Sequence, residues 1–412
     1  MGGSPLRLFR LTAGGRDVVD RLGRGERVAG SRLVEALLDA GAIHPLTGRG
    51  GSFTPADVTV VVPTLGPAPD APAGAIVVDD GSEPPVPGAT VRLDRNAGPA
   101  AARNAGLARV TTPLVAFVDA DVRLPDGWLD ALLPHFDDER VAVVAPRVRS
   151  RDGSSLLERL ERDVSPLDMG PDPARVRAGS RVSYVPAAAL VCRTEAVVAL
   201  AGFDESLRFG EDVDLVWRLD AADHRIRYEP ASVVEHDPRS SWADWFRQRI
   251  GYGSSAAPLA RRHPGALAPI RMSGWSVGAW AAGVAVNPVA GLAIAAGSAA
   301  ALVPKLRDVP PRETFRIAWS GNLHAGAQLA QAIRRVWWPI VAVAALGSLT
   351  ARRVLVLATL AARTPIRLAD DVAYSVGVWR GMLAERTFDP AVPAITSWPG
   401  RSRPRRGPTV SS

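Results

Sequence analysis

Residues 58–64 read Val58-Thr59-Val60-Val61-Val62-Pro63-Thr64, and residues 114–121 read Leu114-Val115-Ala116-Phe117-Val118-Asp119-Ala120-Asp121. Each is a short, continuous apolar run that stops abruptly at polar residues. Such runs are strands buried on both faces of a mostly parallel sheet, because a half-exposed strand alternates apolar and polar instead. Further runs of the same kind occupy 75–78, 90–93 and 141–145. Helices are predicted between some of them, over 99–109 and 128–136. Strands alternating with helices indicate an α/β, doubly wound fold.

In open sheets of this class, ligands sit beyond the carboxyl ends of the strands. The polar residues that close each run therefore carry the functional reading. Pro63-Thr64 closes the first, Asp79-Asp80-Gly81-Ser82 the second, and Asp119-Ala120-Asp121 the run at 114–118. Two carboxylates in D-x-D spacing can approach one Mg²⁺ or Mn²⁺, which prefer hard oxygen ligands. Such a cation would bridge a diphosphate and stabilise charge on a leaving group. On its own the pattern is weak, since two acidic residues also simply cap a strand. Residues 96–106 then open a helix with Arg103 inside it. Small residues for close packing are the plain explanation there. The functional one sets the planar guanidinium of Arg103 against a nucleotide base or phosphate. No G-x-G-x-x-G comes after the first strand, which argues against a dinucleotide site.

Gly210-Glu211-Asp212 begins another helix. Acidic residues are favoured at that end by the helix dipole whatever their role. A carboxylate at the mouth of the sheet can also take the proton of an attacking hydroxyl. No second carboxylic acid is needed where a metal supports a departing diphosphate.

The flanks differ in character. Residues 1–50 contain helical patterns at 16–22 and 31–40, the second stopped by Gly41, and look like a small helical or winged-helix-like module. It lacks a basic recognition helix, so docking or scaffolding is expected rather than DNA binding. A linker at 48–53 leads into the α/β domain, taken as 55–265. Residues 272–304 carry no charge, a length sufficient for a membrane span. Asn287-Pro288 interrupts them, implying a kink, a re-entrant pair or two shorter helices. A second uncharged run, 336–351, lies between Arg334-Arg335 and Arg352-Arg353, with Trp337 and Trp338 suited to an interface. The region 266–395 is therefore expected to be a membrane-associated helical one, and 396–412 a disordered basic tail.

The chain has 49 basic and 42 acidic residues, a formal net charge of +7, yet Lys305 is its one lysine. Arginine bias of this kind reflects composition, and nucleic acid is not an expected partner. The excess is local, with ten basic against two acidic residues over 266–365, where a negatively charged membrane surface would suit it. A single cysteine, Cys192, excludes an intrachain disulfide, and no secretory signal is visible in the first ten residues. The expected location is the cytoplasmic face of the cell membrane, or otherwise the cytoplasm.

These motifs, in this order over about residues 58–255, resemble glycosyltransferase family 2. The resemblance implies a GT-A-type fold and an inverting, metal-dependent hexosyltransferase using Mg²⁺ or Mn²⁺. It places Pro63, Asp79 and Asp80 at the donor, the two aspartates against its uracil and ribose. Arg103 and Asp119 join the donor site, and Asp119 and Asp121 hold the metal and diphosphate. Asp212 becomes the catalytic base, with Glu211 orienting the acceptor, and His236 of Val233-Val234-Glu235-His236 a further metal ligand. The Q-x-x-R-W signature of processive synthases is broken at Gln248-Arg249-Ile250-Gly251-Tyr252, which disfavours long-chain synthesis; Arg249 still falls where a contact to the diphosphate is implied. More narrowly, the helical N-terminal module, Tyr184-Val185-Pro186-Ala187-Ala188-Ala189, Gly202-Phe203-Asp204-Glu205 and the Ala-rich end look like the mycofactocin-system glycosyltransferases of actinobacteria. That branch implies β-linked glucose transferred from UDP-glucose to a peptide-derived redox cofactor. A cell-wall or lipid-linked glycan transferase and a non-catalytic membrane-bound scaffold of the same fold are the alternatives.

Overall fold

A computed structural model describes residues 2–46, 48, 51–66 and 71–396. The chain divides into two compact units, one built on Met1–Ser240 and the other on Ser241–Gly407. The basic tail expected over 396–412 lies, from residue 397 on, outside the described residues.

The first unit begins with helices α1 (Ala13–Gly23) and α2 (Arg32–Asp39), capped by Thr12 and Ser31 side chains. Strands β1 (Val58–Thr64), β2 (Ile76–Asp79) and β3 (Val91–Arg92) come next, and after them helix α3 (Pro99–Leu107). Then come β4 (Leu114–Val118), β5 (Val122–Arg123), β6 (Val141–Ser150), α4 (Leu156–Val164), β7 (Ala174–Val176), β8 (Ala189–Arg193), α5 (Thr194–Ala199), α6 (Glu211–Ala221) and β9 (Arg225–His236). Nine strands make one sheet in the order β3-β2-β1-β4-β8-β6-β9-β5, with β7 also paired to β9.

β1 to β4 are parallel to one another, as their unbroken apolar runs predict. β8 is inserted antiparallel to both β4 and β6, so the sheet is mixed beyond β4. Every residue of β4 is buried, and Leu114, Ala116 and Val118 pack with Phe136, Val144 and Val191 in the core. β6 runs five residues past the predicted end because it pairs with β9 along its length. The helix predicted over 128–136 is instead a turn leading into a 3-10 segment, Leu133–Asp137. Pro134 lacks an amide hydrogen and its ring clashes with the preceding turn, so an α-helix centred there is disfavoured.

The second unit is helical: α7 (Trp242–Ser254), α8 (Ala256–Arg262), α9 (Gly274–Ala285), α10 (Pro288–Leu302), α11 (Pro311–Ala332), α12 (Trp338–Gly347), α13 (Leu349–Leu360) and α14 (Pro365–Glu385). A short parallel pair, β10 (Arg271–Met272) with β11 (Ala394–Ile395), accompanies them. The uncharged stretch 272–304 is two helices, with Asn287 capping the second through Ala290. The run at 336–351 is not independent, because α11 continues through one π-helical turn into α12. Two helical stretches, Pro288–Lys305 and Pro311–Gly347, are long and apolar enough to cross a membrane, and their apolar windows are only 17% and 11% buried.

Candidate active site

Register brings the motif-bearing strand ends together: Thr64 pairs with Asp79, and Val61 with Phe117. Asp79, at the end of β2, is 0% exposed. Its carboxylate accepts from the backbone N–H of Ser82 (2.8 Å) and Val86 (3.1 Å) and from Arg92 Nη1 (2.8 Å). Burial opposes ionisation, but these bonds and the Arg92 charge outweigh it and hold the carboxyl at about 2. Asp80 accepts from the N–H groups of Ala97 (2.7 Å) and Gly98 (2.9 Å), tying the turn to the start of α3. Gly81 permits the turn, with φ +73° and no room for a side chain: a Cβ would lie 2.4 Å from the Arg95 carbonyl carbon. Both aspartates expected at the donor are thus engaged with the loop C-terminal to them. Pro63 lies within β1, opposite Val78.

Arg103, on α3 and 3% exposed, is the centre of the site. Its Nη2 donates to Asp119 Oδ1 at 2.7 Å and its Nη1 to Glu211 Oε1 at 2.6 Å. The ring of Phe203 lies 5.4 Å from the guanidinium carbon. Two carboxylates from distant segments are therefore clamped by one planar fork. A second link is made through the backbone of the segment between them. Ala187 N–H donates to Asp212 Oδ2 at 3.0 Å, while the Ala188 carbonyl accepts from Asp119 N–H at 3.0 Å.

Glu211 and Asp212 open α6 after Gly210, which is left-handed at φ 81°. Glu211 is buried, and burial together with the adjacent Asp212 charge raises its pKa to about 7. Burial likewise raises Asp212 above the ordinary carboxylate range, against the pull of the Ala187 hydrogen bond and the Arg103 charge. Such a pair titrates as a unit.

β5 pairs antiparallel with β9, setting Val122 opposite His236. His236 Nε2 consequently lies 3.2 Å from Asp121 Oδ2, and Arg239 Nη2 3.6 Å from the same oxygen. Asp121 is depressed: burial works against this, and the His236 hydrogen bond and the His236 and Arg239 charges prevail. The three residues expected to share a cation are not one cluster. Among the described residues no group of three or more His, Cys, Asp or Glu is arranged around a metal position. Asp119 is drawn to Arg103, leaving Asp121 and His236 facing each other. Arg249 lies in the second unit, buried, with Nε 2.7 Å from Asp370 Oδ1 and its guanidinium 5.0 Å from the Trp245 ring centre.

Sequence reasoning missed Ala187, whose contribution is a main-chain amide and leaves no side-chain signal. It also passed over Phe203 as a ring under Arg103, and Arg239, although a basic residue three positions past His236 was visible.

The model of the family described as "Glycosyl transferase family 2" matches residues 75–194. The pre-mycofactocin glycosyltransferase of Mycobacterium tuberculosis (strain CDC 1551 / Oshkosh) is 38% identical over 96% of this chain and 94% of its own. The succinoglycan biosynthesis protein ExoA of Rhizobium meliloti (strain 1021) is 30% identical over 46% of each chain. Among solved structures, the mannosyltransferase PcManGT from Pyrobaculum calidifontis, in complex with GDP-Man and Mn²⁺, is similar at a TM-score of 0.46 and 17% identity, covering 82% of this chain and 90% of that one. The chain belongs to glycosyltransferase family 2, on the branch of the mycofactocin-system glycosyltransferases.

Proposed function

We propose that this glycosyltransferase moves a hexose, glucose in β-linkage, from a UDP-sugar to a hydroxyl of the peptide-derived redox cofactor mycofactocin or its precursor. The reaction proceeds with inversion and with Mg²⁺ or Mn²⁺. The observation that carries the reading is the Arg103 fork, which sets the first D-x-D carboxylate beside the Glu211-Asp212 pair.

Asp212 takes the proton of the acceptor hydroxyl as that oxygen attacks the anomeric carbon. Its raised pKa makes it a stronger base than an exposed aspartate. Ala187 N–H fixes the orientation of this carboxylate. Glu211, held by Arg103, orients the acceptor. One displacement from the face opposite the diphosphate inverts the anomeric centre.

Asp121 and His236 are the residues that would hold the cation. The Asp121 carboxylate oxygen, 3.2 Å from the His236 nitrogen, is the hard donor that either Mg²⁺ or Mn²⁺ would take, and the imidazole would favour Mn²⁺ of the two. When bound, the cation neutralises charge on the departing diphosphate. Arg239 adds positive charge on the same side. Asp79 and Asp80 act by shaping the loop that receives the nucleoside, next to Pro63, and Asp119 by its tie to Arg103. The long exposed apolar helices, with Arg352 and Arg353 just beyond the second stretch, support attachment to the cytoplasmic face of the membrane.

The test is a donor panel of UDP- and GDP-sugars with Mn²⁺ or Mg²⁺, monitoring released nucleotide and acceptor mass. The reading expects UDP-glucose to lead and the peptide-derived acceptor to gain hexose units. Transfer only to a prenyl-phosphate lipid, or only from GDP-sugars, would reject it.

A further inference from the structure

Alternate residues of a strand share a face, so Arg225, Arg227 and Glu229 of β9 project together. Arg225 is fully matched: it reaches Asp39 at 2.8 Å, Asp138 at 2.7 Å and Glu35. Glu229 is matched by His135 Nε2 at 3.0 Å. Arg175, opposite Arg227 on β7, is matched by Asp220 at 2.6 Å and by main-chain carbonyls. Arg227 is different. It is 2% exposed, and among the described residues neither its Nε nor either Nη has a hydrogen-bond partner. The other ring nitrogen of His135, Nδ1, is also buried without one among the described residues.

Both unpartnered groups act on the same neighbour. The pKa of His44 is lowered by burial first and then by the charge of Arg227, with Arg181 and His135 contributing and Glu229 opposing. Just before His44, Gly41 rests against Arg175, where an added Cβ would meet the arginine Cβ at 3.3 Å. Residues 41–46, which contain no helix or strand, thus bring the half-buried His44 near the buried Arg227 of β9 and the buried His135 of the 3-10 segment at 133–137. Burial, reinforced by Arg225 and Arg175, pushes the Arg227 guanidinium down to about 10, so it is still charged at neutral pH. An isolated buried guanidinium is strongly unfavourable unless an anion meets it, and its planar fork fits two oxygens of one group.

We propose that Arg227, with His135 and His44, forms a binding site for a small oxyanion, a phosphate or a carboxylate group, beneath residues 41–46 of the N-terminal module. The anion completes the seat of that module on β9 and so couples its docking to ligand. This site is separate from the Arg103 cluster in the residues that build it.

Thermal unfolding of the full chain in phosphate, acetate or chloride at one ionic strength tests this. Binding to the folded state alone raises the melting temperature by mass action. Wild type is expected to melt higher in phosphate or acetate than in chloride; a rise with phosphate alone identifies phosphate as the source, and with acetate alone a carboxylate. R227M keeps the bulk and drops the charge, so it should lose that part of the response and melt at least as high as wild type in chloride. Phosphate bound elsewhere persists in both proteins and cancels in the comparison. An equal response in wild type and R227M overturns the proposal, as does an R227M that melts lower in chloride, because water then satisfies the guanidinium. R227K, which keeps charge without the fork, is expected to bind phosphate at least tenfold more weakly by calorimetry; unchanged affinity also overturns it.

Discussion

Arg103 and Glu211 are 108 residues apart in the chain and 2.6 Å apart in the fold. The same guanidinium holds Asp119 at 2.7 Å. One side chain, itself buried against Phe203, therefore bridges the D-x-D loop and the start of α6, alongside the backbone link through Ala187 and Ala188.

Replacing Arg103 by methionine removes the clamp and leaves two carboxylates to repel each other. Activity should fall by about a hundredfold, the scale expected when catalytic groups move by an ångström. Lysine should rescue little, because a point charge cannot bridge both partners. Steady-state kinetics with circular dichroism as a folding control will show it; near-normal turnover in R103M would rule out the clamp.

Asp212→Asn removes the proposed base while keeping shape. kcat should drop by about 10²–10⁴-fold, the usual scale of general base catalysis. Donor affinity, read by nucleotide titration, should be nearly unchanged. Full turnover would exclude Asp212 from that role.

The pH dependence has two readouts of opposite sign. Transfer needs the carboxylate pair to lose a proton, so kcat/KM should decline as pH falls below about 7, and E211Q should move that limb to lower pH. Stability runs the other way. Unfolding returns Glu211 from about 7 to 4.5, so the native state holds a proton that the unfolded chain releases. This contribution is complete below pH 4.5 and lost as pH rises toward 7. Urea midpoints should record a smaller decline over that interval in E211Q than in wild type.

Chelation should abolish transfer, with Mn²⁺ or Mg²⁺ restoring it. D121N and H236A should each raise the metal concentration for half-maximal rate by about tenfold or more. D119N should change it less, since Asp119 faces Arg103 rather than His236. Equal metal dependence in all three variants would contradict the assignment.

In the helical unit, Gly377 of α14 meets α7 so closely that a Cβ would lie 2.0 Å from the Ile250 carbonyl oxygen. Gly377→Ala should force the pair apart and cost about 1–3 kcal/mol, as overpacking does. Gly321, within α11 and with nothing inside 4 Å, is the control. Its alanine variant should gain up to about 1 kcal/mol from helix propensity. Melting curves of the two should move in opposite directions.

Much of the sheet was legible because β1, β2 and β4 are apolar without interruption, the mark of strands covered on both faces. β8 and β9 were harder. β9 mixes arginines with Ile226 and Tyr228, and Arg225 is tolerated inside because α2 supplies Glu35 and Asp39. No local pattern announces such a strand. The helix expected at 128–136 failed for a local reason that Pro134 already carried.

At the site, each acidic motif was readable from its place after an apolar run, and the family is legible from their order. Which motif touches which was not. Asp119 and Asp121 are equivalent in a D-x-D pattern, yet one is captured by Arg103 and the other faces His236. Chain order determines the strands, the motifs and the chemistry available, because burial pattern and residue type are local properties. Pairing of the carboxylates, and the unmatched charge of Arg227, are decided only when strands from far apart in the chain meet, because Coulomb attraction and hydrogen bonding act over a few ångströms of space and not along the sequence.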